Sequence, residues 1–300
     1  MPVTNTDIPQ HLTSGVKVIF REAYDNVDGI QWPSIATEIP SSKDTESYAF
    51  LGATPGVREF VGERIVKGLA EYDYTLKNKE WEATLGIKRS TLEDDQYGQI
   101  KIRIQDLAQS MRMHQESLVF GLLPLGASSL CYDGQYFFDT DHSEGSSGTQ
   151  SNKGTSALEA STLQAGITAM SKFKNDRGEP MGVIPDTLVV PPDLKWTAKE
   201  LLQSTYNVDG TANNAGKINV LQGELILVVS PYLTDADNWY LLCTRRIIKP
   251  LIFQNRVPVS LEALEENSTV GFTRSEWQYG SRGRYNAGYG LWQLAYGGIV

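Results

Sequence analysis

The chain has 300 residues, of which 40% are hydrophobic and 21% charged, and its formal net charge is -9. This length and apolar content suit one large domain or two modest ones and exclude a wholly disordered chain. The basic residues are scattered, and because phosphate binding needs a basic face, nucleic-acid binding is not predicted as the main activity. The chain has two cysteines, no leader pattern and a longest apolar run of strand length. It is therefore predicted to be soluble, made in the cytoplasm, and without a membrane segment.

The first 46 residues predict an N-terminal arm. Pro33, Pro40 and the polar run "SSKDTES" interrupt the stretch, and the helical apolar pattern is confined to residues 11–23. Breaks of this kind favour an irregular lead-in over a packed domain. We therefore expect a short helix followed by irregular chain.

Residues 47–89 predict an extended hairpin. Apolar and polar residues alternate along 72–76 and again along 81–87, which is the period of a β-strand, and Asn78 lies where a turn would fall. An ordinary hairpin at a sheet edge and a long hairpin that projects from the subunit both fit this pattern. A projecting hairpin would offer an unpaired edge to another chain.

Residues 98–123 predict the clearest helix, because apolar residues recur every three or four positions. His114 lies on that apolar stripe and is predicted to be a half-buried histidine rather than a ligand. Farther along, the patterns predict a helix at 159–173 and a short buried strand within 187–192, followed by another helix and several short strands.

A polar stretch at 131–148 holds the densest set of reactive side chains. Asp139, Asp141 and His142 are metal-ligand types that would suit a metal-dependent hydrolase. A single histidine beside two aspartates is not a specific signal, and loop aspartates mostly bond their own backbone, so a structural loop is favoured. The sequence has no phosphate-binding loop, dinucleotide fingerprint, nucleophile elbow or Cys-x-x-Cys pair. No enzyme activity, cofactor or metal is therefore predicted.

Several stretches carry a resemblance to a known family. They are "NKEWEATLGIKRSTLEDDQYG", "YDGQYFFDTDH", "DTLVVPPDLKWTAKELL", "WYLLCTRRIIKPLIFQNR" and "GRYNAGYGLWQLAYG". Together they resemble the major head (capsid) proteins of Mu-like phages and prophages. That resemblance implies the Hong Kong 97-type capsid fold, of the α+β class. Its parts would be an N-terminal arm at 1–46, an extended hairpin loop at 47–89, a peripheral domain at 90–154 and 245–300 with a spine helix at about 98–123, and an axial domain at 155–244.

The resemblance also implies a function. A major capsid protein self-assembles through pentamers and hexamers into the icosahedral shell that encloses phage DNA, without binding that DNA specifically. A separate scaffolding protein, a maturation protease and a portal are implied as partners, with assembly in the bacterial cytoplasm and residence in the virion. Aromatic and long basic side chains on the hairpin suit subunit contacts. The candidates are Tyr72, Tyr74, Lys77, Lys79 and Trp81.

Two alternatives stay open at this stage. The first is an encapsulin-like compartment shell of the same fold, which would enclose cargo enzymes rather than DNA. The second is the metal-dependent hydrolase based on Asp139, Asp141 and His142.

Overall fold

The computed structural model describes residues 7–48, 74–88, 90, 97–206, 218–264, 268 and 273–300. Its helices are α1 (Asp7–Asp25), α2 (Trp32–Ile35), α3 (Tyr97–Phe120), α4 (Leu122–Leu125), α5 (Ala160–Ser171) and α6 (Lys195–Gln203). Its strands are β1 (Ala36–Pro40), β2 (Thr45–Ser47), β3 (Thr75–Lys77), β4 (Lys79–Lys88), β5 (Lys153–Gly154), β6 (Thr187–Val190), β7 (Ile226–Val229), β8 (Trp239–Leu242), β9 (Leu251–Leu264), β10 (Glu276–Tyr289) and β11 (Ala295–Gly298). None of the helices in these ranges combines the length and apolar character needed to cross a bilayer.

The longest strands form a four-stranded sheet in the order β1-β9-β10-β4. β10 pairs antiparallel with both β9 and β4, and β1 adds to β9 in parallel. Every second residue of β10 from Trp277 to Tyr285 is buried, as expected for a sheet with one covered face. That covered face packs against α3.

The prediction of a long helix is confirmed, because α3 occupies 97–120. Its buried residues follow the helical spacing that the sequence shows. The helix ends before Gly121, and the short α4 that follows contains Pro124. The buried hydrophobic residues of α3 are Ile100, Ile104, Ala108 and Met111, followed near the end of the helix by Val119 and Phe120.

The N-terminal segment is packed, contrary to the irregular lead-in predicted from its composition. α1 lies against α3 and buries Val16, Phe20 and Tyr24, which are spaced four residues apart on one face. β1 then joins the large sheet through β9. The predicted helix at 11–23 lies within α1 and is confirmed. The predicted irregular lead-in is wrong, because three well-spaced apolar residues are enough to bury one helical face, even in a stretch that is polar on average.

A carboxylate on α3 fixes the turn that follows α1. Glu116 is buried and accepts hydrogen bonds from the backbone N–H groups of Gln31, at 2.9 Å, and Trp32, at 3.0 Å. Burial raises the pKa of Glu116, and the hydrogen bonds act in the opposite direction. The N-terminal segment is therefore held to the long helix by polar as well as apolar contacts.

The remaining strands form a five-stranded sheet in the order β5-β11-β8-β6-β7. β6 and β8 are buried along their whole length. α5 approaches this sheet closely at Gly166, where a Cβ would lie 2.9 Å from Leu241 and 3.1 Å from Tyr296. α6 packs against β7. Because β11 pairs with β8, the last strand shares a sheet with strands of residues 155–244; the domain boundaries stay a prediction.

The strands on either side of Asn78 do not pair with each other, so the predicted turn at this residue is wrong. β3 pairs with β2, and β4 pairs with β10. The Asn78 side chain is buried and donates to Ser41 Oγ at 2.9 Å and to the Lys43 carbonyl at 2.8 Å. Alternation identified both strands, but it carries no information about their partners. Residues 49–73, and with them Tyr72, lie outside the described ranges.

Candidate assembly surfaces

Trp81 belongs to an aromatic cluster within its own subunit. Its indole Nε1 donates to the Tyr285 carbonyl at 2.9 Å, and its ring centroid lies 4.3 Å from that of His114. The Nδ1 atom of His114 lies 3.0 Å from the Tyr285 hydroxyl, and burial lowers the pKa of the imidazole. The prediction of a half-buried histidine is confirmed. Trp81 is thus partly covered by its own subunit, and its role in a subunit contact stays a prediction.

The other described hairpin candidates divide into one inward and two outward side chains. The Tyr74 hydroxyl accepts the Tyr289 backbone N–H at 3.1 Å, and burial raises the pKa of this phenol. Lys77 and Lys79 are exposed. The Lys77 ammonium lies 3.9 Å from Asp44, which at this exposure is a weak pair. The two lysines are therefore available for contacts outside the subunit, and their interface role stays a prediction.

The polar stretch at 131–148 is a loop with a buried imidazole at its centre. His142 is fully buried, with Nδ1 at 2.6 Å from Asp133 Oδ2 and Nε2 at 3.2 Å from Asn152 Oδ1. The Asn152 amide nitrogen donates to the carbonyls of Phe137 and Trp292, so its oxygen faces the imidazole. The His142 ring also stacks on the Trp292 indole, with centroids 4.1 Å apart and planes at 7°.

A second carboxylate ties the same loop to the C-terminal segment. Glu144 Oε1 accepts the Tyr132 hydroxyl at 2.5 Å, the Trp292 indole N–H at 2.7 Å and the Gln293 amide at 2.9 Å. Burial raises the pKa of Glu144, while its donors act in the opposite direction. The bonds from Glu144 to Trp292 and Gln293 join the loop to the C-terminal segment, so the loop is sealed onto the protein by buried polar groups.

The structural-loop interpretation of this stretch is confirmed by the geometry. A metal ligand must direct a nitrogen lone pair at the ion, whereas both His142 nitrogens face oxygen acceptors of the protein. Asp139 Oδ1 accepts the Thr140 backbone N–H at 2.8 Å, and Asp141 is exposed. Across the part of the chain that the structure describes, no three His, Cys, Asp or Glu side chains are grouped to hold a metal ion. The Asp139, Asp141 and His142 site is therefore not formed.

Sequence reasoning missed the partners of this loop. Trp292 and Gln293 lie about 150 positions beyond Glu144, and no local pattern joins them. The signal available was the aromatic-rich C-terminal segment, which the sequence marks as strand-forming but not as a partner of the loop.

Comparison with known proteins identifies the family of this chain. A family model for the Mu-like prophage major head subunit gpT matches residues 10–160, 153–233 and 234–298. The chain belongs to this family. The matched residues include both sheets, most of α1 and the loop at 131–148. The resemblance inferred from the sequence is thereby confirmed.

Two relatives are named as a head subunit or a capsid protein. The Mu-like prophage FluMu major head subunit of Haemophilus influenzae is 30% identical over 267 residues, covering 89% of this chain. The major capsid protein of Escherichia phage Mu is 27% identical over 266 residues, covering 88% of this chain. The chain spans 65% of the length of each of these relatives.

Solved capsid structures share the fold. The procapsid of bacteriophage JBD30 aligns with a TM-score of 0.58 and 29% identity over 99% of this chain and 76% of that chain. The mature capsid of bacteriophage PhiM1 aligns with a TM-score of 0.57 and 11% identity over 90% and 87%. The virus-like particle from Pyrococcus furiosus aligns with a TM-score of 0.56 and 10% identity over 95% and 97%. At 11% and 10% identity, the PhiM1 and Pyrococcus furiosus structures show a likeness of fold alone. The predicted α+β fold of Hong Kong 97 type is confirmed.

Proposed function

We propose that this chain is a major capsid subunit that self-associates into the icosahedral shell of a Mu-like phage or prophage head. The observation that carries the proposal is the family match that runs from residue 10 to residue 298. The likeness to a procapsid subunit at 29% identity supports it. So do the two curated relatives, which are named as a major head subunit and a major capsid protein.

The geometry is suited to repeated contacts between copies. The two sheets form the body of the subunit, and β2 pairs with β3 on either side of the segment between residues 48 and 74. Lys77 and Lys79 are exposed next to this strand pair. In the proposed shell, segment 47–89 contacts a neighbouring subunit through Lys77, Lys79 and the uncovered part of Trp81, together with the predicted candidate Tyr72. A closed shell needs many moderate contacts rather than one strong contact.

The partners follow from the same proposal. Pentamers and hexamers of this chain form the shell, with a separate scaffolding protein, a maturation protease and a portal assembled in the bacterial cytoplasm. The net charge of -9 suits a container whose wall must not hold packaged DNA tightly. The role is structural rather than enzymatic. The residues 1–46, 47–89, 90–154 with 245–300, and 155–244 would serve as arm, hairpin loop, peripheral domain and axial domain.

An encapsulin-like compartment shell is the nearest competing function. The virus-like particle from Pyrococcus furiosus shares the fold at 10% identity, which is a likeness of fold alone. The gpT family match favours a phage head over such a compartment. Neighbouring terminase and portal genes would support the head, and a neighbouring cargo enzyme would support the compartment.

The deciding experiment measures size. The chain is expressed with its neighbouring scaffold gene, and light scattering behind a sizing column is combined with negative-stain images of each peak. We expect pentamers, hexamers or closed shells. A monomer as the only species, in the presence of the scaffolding protein, would overturn the proposal.

A further inference from the structure

A small cleft lies where the N-terminal segment, α3 and β9 meet, and three of the side chains that line it are buried aromatics. Its volume is about 180 Å³. We call it the Trp32 cleft, and the lining residues that matter here are Tyr24, Trp32, Arg112, Phe253 and Asn255. A cavity of about 150 Å³ accommodates benzene. The cleft is therefore large enough for one small ring with a substituent.

Two polar atoms of residues in this cleft have no protein partner. The indole N–H of Trp32 and the Oδ1 atom of Asn255 are buried, and neither is hydrogen-bonded within the part of the chain that the structure describes. The orientation of the Asn255 amide is fixed, because its Nδ2 donates to Glu38 Oε1 at 2.8 Å and an ionised carboxylate can only accept. Buried polar atoms left unpaired cost free energy, so in native proteins they normally have partners.

The two unpaired atoms border the same face of β9. Phe253 and Asn255 are two positions apart on this strand, so their side chains project from one face at a separation of roughly 7 Å. The Trp32 ring lies on Phe253, with centroids 4.3 Å apart, and only 3% of Trp32 is exposed. Two hydrogen bonds of about 2.9 Å, one at each end of a small planar group, cover a span of this order. One group can therefore pair both atoms.

Arg112 adds further donors to the cleft. Its guanidinium carbon lies 5.2 Å from the Tyr24 ring centroid and 6.0 Å from that of Trp32. Its Nη1 donates to Gln115 Oε1 at 2.9 Å, and the ion pairs among the described residues do not include Arg112. A guanidinium carries five N–H donors, so some remain for a ligand. An acceptor atom in the cleft would meet both the indole and the guanidinium.

The formal charges around the cleft cancel. Arg21 and Asp25 pair at 2.7 Å, and Glu38 balances Arg112, so the lining side chains carry two positive and two negative charges. Neither a cation nor an anion is favoured by this balance. A neutral ligand is therefore expected.

Hydrogen-bond chemistry narrows the choice among small polar groups. An ammonium group would face Arg112 and would give the Trp32 N–H no acceptor. A carboxylate would accept from Trp32 and Arg112 but would leave the Asn255 oxygen facing another acceptor. A primary carboxamide has an acceptor and a donor side by side in one plane, and it is neutral.

We propose that the Trp32 cleft binds a primary carboxamide carried on a small ring. The carbonyl oxygen accepts from the Trp32 indole N–H and from Arg112, and the NH₂ group donates to Asn255 Oδ1. The ring packs against Tyr24 and Phe253. Binding at this site takes place within one subunit and does not depend on the proposed shell function.

The test compares three ring compounds of similar size on the purified full chain with ¹⁵N-labelled tryptophan. Benzamide should shift the Trp32 indole signal, identified by its loss in Trp32→Phe, with half-saturation at about millimolar concentration or below. It should also raise the thermal midpoint, because it binds the folded chain. Benzoate and N,N-dimethylbenzamide both lack the donor N–H. Each should bind at least about tenfold more weakly, the ratio expected for one unpaired buried atom.

Variants locate the site through the thermal shift that benzamide produces. Asn255→Ala and Trp32→Phe should each weaken binding about tenfold. Trp196→Phe makes the same ring exchange at an exposed tryptophan outside the cleft and should bind benzamide as the wild type does. If Trp32→Phe fails to fold, the three compounds on the wild type and the Asn255→Ala variant still decide the question.

Three results would overturn the site. They are equal binding of benzamide and benzoate, unchanged affinity in Asn255→Ala, and a Trp32 indole signal that responds to none of the compounds at ten times the expected half-saturation. The last result would mean that water alone pairs these atoms. Assembly is measured separately on the same preparation, so a chain that binds benzamide but forms no particles would refute the shell function and leave the amide site standing.

Discussion

The loop at 131–148 has no helix or long strand, yet its side chains are bonded across the subunit, whereas helix α6 and strand β7 leave large apolar side chains in solvent. In the loop, the His142 ring stacks on Trp292, and Glu144 accepts the Trp292 indole N–H, although Trp292 lies about 150 residues farther along the chain. On α6 and β7, Trp196 and Ile226 are 66% and 60% exposed. Burial of a side chain in this protein therefore follows its partners elsewhere in the chain rather than its secondary structure.

The largest effect should come from opening the sealed loop. Asp133→Ala leaves His142 Nδ1 buried without its partner, since both side chains are 2% exposed or less. Breaking a buried pair in this way should lower the free energy of unfolding by about 3–5 kcal/mol, measured by urea denaturation. Asp141→Ala removes an exposed carboxylate of the same loop and should change the free energy of unfolding by less than about 0.5 kcal/mol. Equal losses in the two variants would contradict the description of the loop as sealed.

A smaller effect is expected from removing Glu116, the buried carboxylate that joins α3 to the N-terminal segment. Glu116→Ala leaves the backbone N–H groups of Gln31 and Trp32 without their acceptor. Stranding buried donors should cost about 1–3 kcal/mol, with faster hydrogen exchange at those two amides. Glu116→Gln retains an acceptor oxygen and should lose less. Unchanged exchange at Gln31 and Trp32 in the alanine variant would show that packing of α1 alone holds the segment.

The pH dependence of stability distinguishes the sealed loop from an exposed surface. Burial raises the pKa of Glu144 above its ordinary value of 4.5. A raised folded-state pKa gives stability that is present below the ordinary value and is lost as the pH rises through the folded value. The wild type should therefore lose free energy of unfolding relative to Glu144→Gln as the pH is raised from about 4.5 towards 7. If the difference in free energy of unfolding between wild type and Glu144→Gln stayed constant across this pH range, the Glu144 carboxyl would be as solvated in the folded protein as in the unfolded chain.

The smallest effect should come from the exposed face of strand β7. Ile226→Ser changes an exposed side chain and should alter the free energy of unfolding by less than about 0.5 kcal/mol. Val228→Ala, two residues along the same strand, removes buried methyl groups and should cost about 1–3 kcal/mol. The contrast is measured on the isolated subunit by chemical denaturation. If Ile226→Ser destabilised the subunit as much as Val228→Ala, the exposed face of β7 would be part of the subunit core.

The sequence predicts elements better than it predicts their partners. The helix at 97–120 and the strands on both sides of Asn78 follow from hydrophobic period alone. The period identifies which residues share a face, but the same alternation is compatible with pairing to any neighbouring strand. β4 therefore pairs with β10, nearly 200 residues away, rather than with β3 beside it.

Composition was a poor guide in three regions for related reasons. The N-terminal segment is polar on average, yet Val16, Phe20 and Tyr24 are enough to pack α1. The Gly- and Ser-rich loop gives no hint of Trp292, because a buried network depends on contacts across the whole chain. The apolar run at 225–229 indicates a strand but not that Ile226 points into solvent. That Ile226 is exposed on the last strand of its sheet could be found only once strand order was known.

The pairing of β1 with β9 and of β5 with β11 has a consequence for how the subunit is made. Ala36 pairs with Leu251, and Lys153 pairs with Gly297, so each sheet joins strands that lie far apart along the chain. Neither sheet can be completed until its later strand, β9 or β11, has left the ribosome, because non-local pairing must wait for both strands. A chain that stops before β9 lacks the partners of both β1 and β5, so synthesis of this late segment sets the earliest time at which a subunit can be ready to assemble.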